Sequence, residues 1–258
     1  MKVEKFVDGI VILGDSTTQD VWSFVNETIG AVGLIVADPP YGNIVDDEWD
    51  QTDLSDELFS SWMIKWTRGW TETCLSDGGA FYVWGGVGIP GFRPFLRYLS
   101  EVEQVNKFEL ANLITWKKRR AYGVQNNYLF TREECAYFVK GDAKKPLMFN
   151  VPLLDEKRGY AGFNKKYPAK SEFYRRSNVW TDITEIMQGK RHPTEKKQRV
   201  IEVPIEVHTK PGDYVIDPFA GAGTTADACR KLDRRFVIIE NNETYFDEII
   251  SHLKSNKS

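Results

Sequence analysis

The stretch "IVADPPYG" closes an apolar run with Asp38, Pro39, Pro40 and Tyr41. Proline has no N–H and a locked φ, so a strand must end there. Asp38, preceding a proline, is itself biased toward extended backbone. One carboxylate and one aromatic ring are thus rigidly aimed at the end of a buried strand. That placement suits orientation or proton-transfer chemistry.

A second stretch, "YVIDPFAGAGTT" over residues 214–225, reads as a strand, the acid Asp217, a loop with Gly221 and Gly223, and a helix start. The next strand, "RRFVIIE", ends in Glu240. These are the parts of a βαβ nucleotide-binding unit. The glycines let backbone approach a ligand, and the helix start offers N–H groups to an anion. A strand-end acid can hold ribose hydroxyls. A phosphate loop would need Gly-Lys-Ser/Thr, whereas Thr224 and Thr225 follow the glycine without a lysine. The third glycine of a dinucleotide loop is missing. Asp217, Glu240 and that missing glycine favour a nucleoside without a pyrophosphate, and S-adenosylmethionine fits.

The elements that must position these residues alternate in type. Strands are expected at 9–15, 32–38 and within 78–86 between its flanking glycines, with helical spacing through Val21, Phe24, Val25 and Ile29 closed by Gly30. A helix is expected over 54–74, capped by Ser55 or Thr52, and another near 94–102. "LANLITWKK" and "CAYFVKG" read as further strands. The pattern implies an α/β fold: a mostly parallel, twisted sheet with helices on both faces. From 142 to 178 the pattern breaks into a basic, turn-rich stretch dotted with aromatics, expected to be an insertion. Residues 1–141 and 179–258 then form the main domain.

At 258 residues, 41% hydrophobic and 28% charged, the composition is that of an ordinary globular protein. No signal-peptide core or membrane-length run is present, and Cys74, Cys135 and Cys229 form no CxxC pair. A cytoplasmic protein without disulfides or a metal site is expected. The net charge is −3, yet residues 117–199 carry 20 Lys/Arg against 9 Asp/Glu, leaving 14 against 28 elsewhere. A region of +11 on a body of −14 suggests one face built for a polyanion.

"DPPY" at 38–41, "DPFAGAGTT" at 217–225 and "RHPTEK" at 191–196 together resemble the amino-methylating DNA methyltransferases. The order, catalytic motif first and cofactor loop last, resembles the circularly permuted beta group of that family. The resemblance implies a Rossmann-like methyltransferase fold, prokaryotic or phage-encoded, with residues 142–178 as target-recognition insertion. It implies that S-adenosylmethionine methylates an exocyclic amine of a base flipped out of double-stranded DNA. The Asp38 carboxylate and Pro39 carbonyl would accept the amine's two N–H bonds, Pro40 would hold them rigid, and Tyr41 would stack on the base. Asp15, Asp38, Asp217, Phe219, Ala220, Gly221, Gly223, Thr224, Thr225, Glu240 and Asn241 match the cofactor site, with His192 and Thr194 closing over the methionine end. Gly42 and Lys197 depart from the family pattern, which more often has Asn and Pro there.

An acid leading the tetrapeptide is typical of adenine-N6 enzymes, so adenine is favoured. A cytosine-N4 enzyme and an RNA amino-methyltransferase stay open. Phosphate contacts are expected from Lys117, Lys118, Arg119, Arg120, Lys157, Arg158, Lys165, Lys166, Lys170, Arg175 and Arg176. The resemblance also admits a homodimer and a cognate restriction endonuclease as partners.

Overall fold

A computed structural model describes residues 1–41, 55–86, 88–105, 107–123, 125–158, 171–186 and 195–256. In chain order its strands are β1 (Lys2–Lys5), β2 (Gly9–Leu13), β3 (Val32–Ala37), β4 (Leu75–Gly85), β5 (Phe108–Tyr122), β6 (Phe130–Lys140), β7 (Leu153–Lys157), β8 (Phe173–Arg175), β9 (Val179–Trp180), β10 (Tyr214–Asp217) and β11 (Arg235–Glu240). The helices are α1 (Gln19–Ile29), α2 (Asp56–Cys74), α3 (Gly88–Val105), α4 (Gln198–His208), α5 (Thr224–Lys231) and α6 (Glu243–Ser255).

Nine strands form one sheet in the order β1-β2-β11-β10-β3-β4-β6-β5-β9. Its centre, β2 through β4, is parallel. The β4-β6-β5 margin is antiparallel, as is the edge pair β1-β2. Edge strand β1 was not expected from the sequence; its four residues alternate too briefly to carry a periodic signal.

β3 is apolar along its whole length because both of its faces are covered. Leu34 and Val36 join a core with Val11, Tyr82, Trp84 and the buried sides of α4, α5 and α6. Ile35 and Ala37 point the other way, into Ile12, Phe81, Val83, Trp66, Trp70 and Val25. Alternation in a strand sends successive side chains to opposite faces, so two cores require a continuous hydrophobic run.

The helix boundaries follow local chemistry. Gly30, at φ 74°, ends α1 and donates its N–H to Asn26 O. Ser55 caps α2 by accepting from Leu58 N. α3 starts at Gly88, earlier than the expected 94, and runs through Pro94, which interrupts the helix only by its missing N–H. Away from the main sheet, β7 and β8 pair antiparallel as a separate ribbon. The chain leading to it is tied to the body: Leu147 N donates to Gly78 O and Asn150 N to Val207 O.

β3 leads to β4 on one side of the sheet, while its neighbour β10 leads through α5 to β11 on the other. Connections that diverge in this way open a crevice beyond the carboxyl ends of the two strands. Asp38 follows β3 directly, Asp217 ends β10 and Glu240 ends β11.

Candidate active site

The crevice is a cavity of about 320 Å³. Its walls bring together Asp15, Asp38, Pro39, Pro40, Tyr41, Asp217, Phe219, Ala220, Gly221, Thr224, Thr225, Glu240 and Asn241, residues spread from the end of β2 to the end of β11. Gly223 does not line it; at φ 77° it is the left-handed N-cap that turns the chain into α5. His192, Thr194, Lys165, Lys166 and Lys170 lie outside the described residues, as does the side chain of Arg120.

Each acid is held by its local backbone. Asp15 Oδ1 accepts from Thr17 N at 2.8 Å and Thr17 Oγ1 at 2.7 Å. The loop carrying it is clamped because the indoles of Trp22 and Trp70 both donate to Ser16 O, at 2.7 and 2.8 Å. Glu240 accepts from Gly221 N and Asn242 N, each at 2.9 Å, which fastens the glycine loop to the end of β11. Burial raises the Glu240 carboxyl above its ordinary range, against the pull of those N–H donors. Asp217 accepts from Phe219 N at 2.9 Å and from the Thr225 hydroxyl. Burial dominates there too and lifts its carboxyl to about 7.

Part of the wall is aromatic. Phe59 and Trp62 of α2 line the cavity with Phe219 and Tyr245. Phe219 is braced edge-on by Trp66, with ring centroids 4.9 Å apart. None of Phe59, Trp62 and Tyr245 was singled out from the sequence; on an amphipathic helix such residues carry only a core signal.

Lys196, the last residue of "RHPTEK", enters the site in a way its sequence position does not indicate. Its side chain is 5% exposed, and Nζ donates to Asp38 Oδ1 and to the Tyr41 hydroxyl, both at 2.7 Å. The Tyr41 hydroxyl donates in turn to Asp38 Oδ1 at 2.6 Å. Glu133 Oε2 stands 3.5 Å from Lys196 Nζ, and Lys118 pairs with the other Glu133 oxygen. Glu133 is buried, yet Lys196 and Lys118 outweigh that burial and hold its carboxyl below the ordinary range. Burial together with the Asp38 and Glu133 charges pushes the Tyr41 phenol well up.

The expected phosphate contacts separate by burial. Lys117, Arg119, Lys157, Arg158 and Arg175 are exposed on β5 and the ribbon. Lys118 is turned toward Glu133. Arg176 departs from the expectation: it is 5% exposed, paired with Asp182 at 2.7 Å and set over the Trp180 ring. A guanidinium buried and paired in this way braces the protein and is withdrawn from the surface where phosphates bind.

The donor set indicates which ligand the cavity suits. Among the described lining residues, Asp15, Asp38, Glu195, Asp217 and Glu240 are acidic and Lys196 is the one Lys or Arg. Such walls suit a ligand with positive charge, hydroxyls and an apolar ring, and oppose a pyrophosphate. Glycine spacing alone would not have excluded a dinucleotide, because Ala226 stands at the third glycine position and dinucleotide loops accept alanine there.

The N6/N4 DNA methylase family model matches residues 32–251. The chain belongs to that family. The family is one of S-adenosylmethionine-dependent methyltransferases. Among curated relatives, the type II methyltransferase M.BamHI of Bacillus amyloliquefaciens is 29% identical over 246 residues, covering 88% of this chain and 53% of M.BamHI. The chain thus spans about half the length of that relative. M2.DpnII of Streptococcus pneumoniae is 27% identical over 234 residues, covering 83% of this chain and 80% of that protein. Two solved structures share the fold. The M1.HpyAVI–SAM complex has a TM-score of 0.63 at 23% identity and covers 94% of this chain and 98% of its own. The cytosine-N4-specific PvuII DNA methyltransferase has a TM-score of 0.71 at 18% identity and covers 97% and 88%. Among the described residues, no helix is long and apolar enough to cross a membrane.

Proposed function

We propose that this family member is a DNA adenine-N6 methyltransferase, acting on a base flipped out of double-stranded DNA. One observation carries the reading: the Asp38-Pro39 acceptors open onto the same cavity as the glycine loop and the strand-end acid Glu240. Asp15, Asp217, Phe219, Ala220, Gly221, Glu240 and Asn241 would hold S-adenosylmethionine, which supplies an electrophilic methyl on sulfur.

The chain's own task is to make a poor nucleophile react. An exocyclic amine shares its lone pair with the ring and must be drawn toward tetrahedral geometry. The Asp38 carboxylate and the Pro39 carbonyl accept its two N–H bonds, and the paired prolines fix both acceptors. Asp38 then takes the proton that the alkylated nitrogen releases. The aromatic wall excludes water from the cavity. Lys117 and Arg119 on β5, with Lys157, Arg158 and Arg175 on the ribbon, would hold phosphates of the duplex. The preference for adenine rests on Asp38 as leading residue of the tetrapeptide, by family resemblance.

The test is transfer of labelled methyl to unmethylated duplex DNA, with product nucleosides separated, for wild type and Asp38→Ala. N6-methyladenine from wild type, and a rate at least about 10²-fold lower for Asp38→Ala with cofactor still bound, is the expected result. N4-methylcytosine would overturn the adenine assignment and leave the acceptor chemistry in place. Methyl on RNA but not on DNA would overturn the substrate.

A further inference from the structure

Lys196 is an expensive residue to bury. Removing an ammonium from water costs several kcal/mol, and the cost is offset only where every donor finds a well-placed acceptor. Here Nζ donates to Asp38 Oδ1 and the Tyr41 hydroxyl, which follow β3, and faces Glu133 Oε2 of β6 as an ion pair at 3.5 Å. The ammonium also sits 5.2 Å from the ring centroids of both Tyr41 and Trp84.

The direction of these bonds is fixed by chemistry. A lysine ammonium accepts nothing, so Tyr41 must accept from Lys196 and donate to Asp38. Asp38 Oδ1 therefore receives two donors, and rotating the carboxylate would break both bonds. Among the described residues no donor reaches Oδ2, which leaves one oriented oxygen for an incoming amine.

Resting on the acceptor role of Asp38 given above, we propose that Lys196 is a positioning residue for the reaction. It locks the Asp38 carboxylate and the Tyr41 ring in the arrangement that receives the target amine, and Glu133 holds it in place. The groups facing Lys196 are Asp38 and Tyr41 after β3, Trp84 on β4, and Glu133 and Cys135 on β6; Lys118 on β5 acts through Glu133. Burial opposes the ammonium, but the Asp38 and Glu133 carboxylates prevail and hold its pKa above the ordinary lysine value, so it stays charged.

The experiment compares the full-length wild type with Lys196→Met, Lys196→Ala and Glu133→Gln. It measures kcat and KM for duplex methylation, calorimetric binding of S-adenosylmethionine and thermal unfolding. Lys196→Met is expected to lose about 10²-fold in kcat while cofactor affinity changes less than about threefold. Lys196→Ala should regain at least about tenfold of its lost rate with millimolar ethylammonium. It should regain nothing with tetramethylammonium, which has the charge but no N–H. A merely structural lysine would give no such selective rescue.

Lys196→Met with wild-type kcat, or equal rescue by both cations, overturns the proposal. If the Lys196 variants do not fold, Glu133→Gln decides. It keeps the shape and weakens the hold on Lys196, so a fall in kcat of about threefold to tenfold is expected at unchanged cofactor affinity; an unchanged kcat overturns the proposal. Wild-type protein that methylates no nucleic acid overturns the functional reading and this inference with it. Active wild type with an indifferent Lys196 overturns this inference alone.

Discussion

Asp217 gives a prediction that needs no substrate. Its carboxyl ends β10 beneath the glycine loop, 5% exposed, and burial lifts it from 3.8 to about 7 despite the Thr225 hydroxyl and the Phe219 N–H. Between these values the folded protein keeps the proton and the unfolded chain has lost it. The unfolded state binds fewer protons, so stability falls as pH rises through that window. At 1.36 kcal/mol per pKa unit, the gap from 3.8 to about 7 comes to about 4 kcal/mol, lost progressively and complete above about pH 7. Asp217→Asn keeps the shape and cannot ionise. It should match wild type near pH 4 and exceed it by up to about 4 kcal/mol at pH 8. Urea titrations of both proteins at pH 4, 5, 6, 7 and 8, without cofactor, measure the difference. The difference is needed because His208, which burial lowers to about 4, contributes a slope of opposite sign over an overlapping range. Parallel curves for the two proteins would refute the reasoning and place the Asp217 carboxylate in a solvated or compensated site.

Three further substitutions separate the roles of neighbouring residues. Gly223→Ala puts a Cβ on backbone at φ +77° and 3.3 Å from Ile249 Cγ1; it should cost about 1–2 kcal/mol in urea unfolding and weaken cofactor binding measured by calorimetry. Removing Lys117 and Arg119 together should weaken DNA binding and reduce the slope of log K against log salt by about 2, read by fluorescence anisotropy over a salt series, with unfolding unchanged. Arg176→Ala should do the reverse. The loss of its pair with half-exposed Asp182 should cost about 2 kcal/mol of stability and leave the salt slope of DNA binding unaltered.

The contrast between Lys117 and Arg176 shows where sequence reasoning runs out. Both are cations in a basic stretch, and composition assigns them one surface. What separates them is the partner reached through space: Asp182 and the Trp180 ring for Arg176, and open solvent for Lys117. Strands β3 and β10 were legible for the opposite reason. Their signals are local, in apolar runs ended by Asp-Pro and followed by glycine or proline, and the covalent chain alone enforces them. α3 was legible in part, because Pro94 marks the loss of an N–H wherever it falls in a helix and does not by itself locate the start. The ribbon of β7 and β8 carried little signal; its strands are short and neither face is covered as those of the main sheet are.

The site extends the same lesson to chemistry. Asp38, Asp217 and Glu240 were readable one at a time because each ends an apolar strand. Their convergence follows from strand order, in which β3 and β10 lie side by side and diverge beyond their ends. Lys196 lies 158 residues from Asp38 along the chain and meets it at 2.7 Å. Its place in "RHPTEK" does not show what the side chain reaches, since a lysine just before a helix is ordinarily solvated. Its role becomes visible only when β6 supplies Glu133 behind it and β4 supplies Trp84 beneath it. The acid that the prolines aim is therefore incomplete as a sequence motif. The prolines fix its backbone, and a buried cation from the far half of the chain fixes its oxygens.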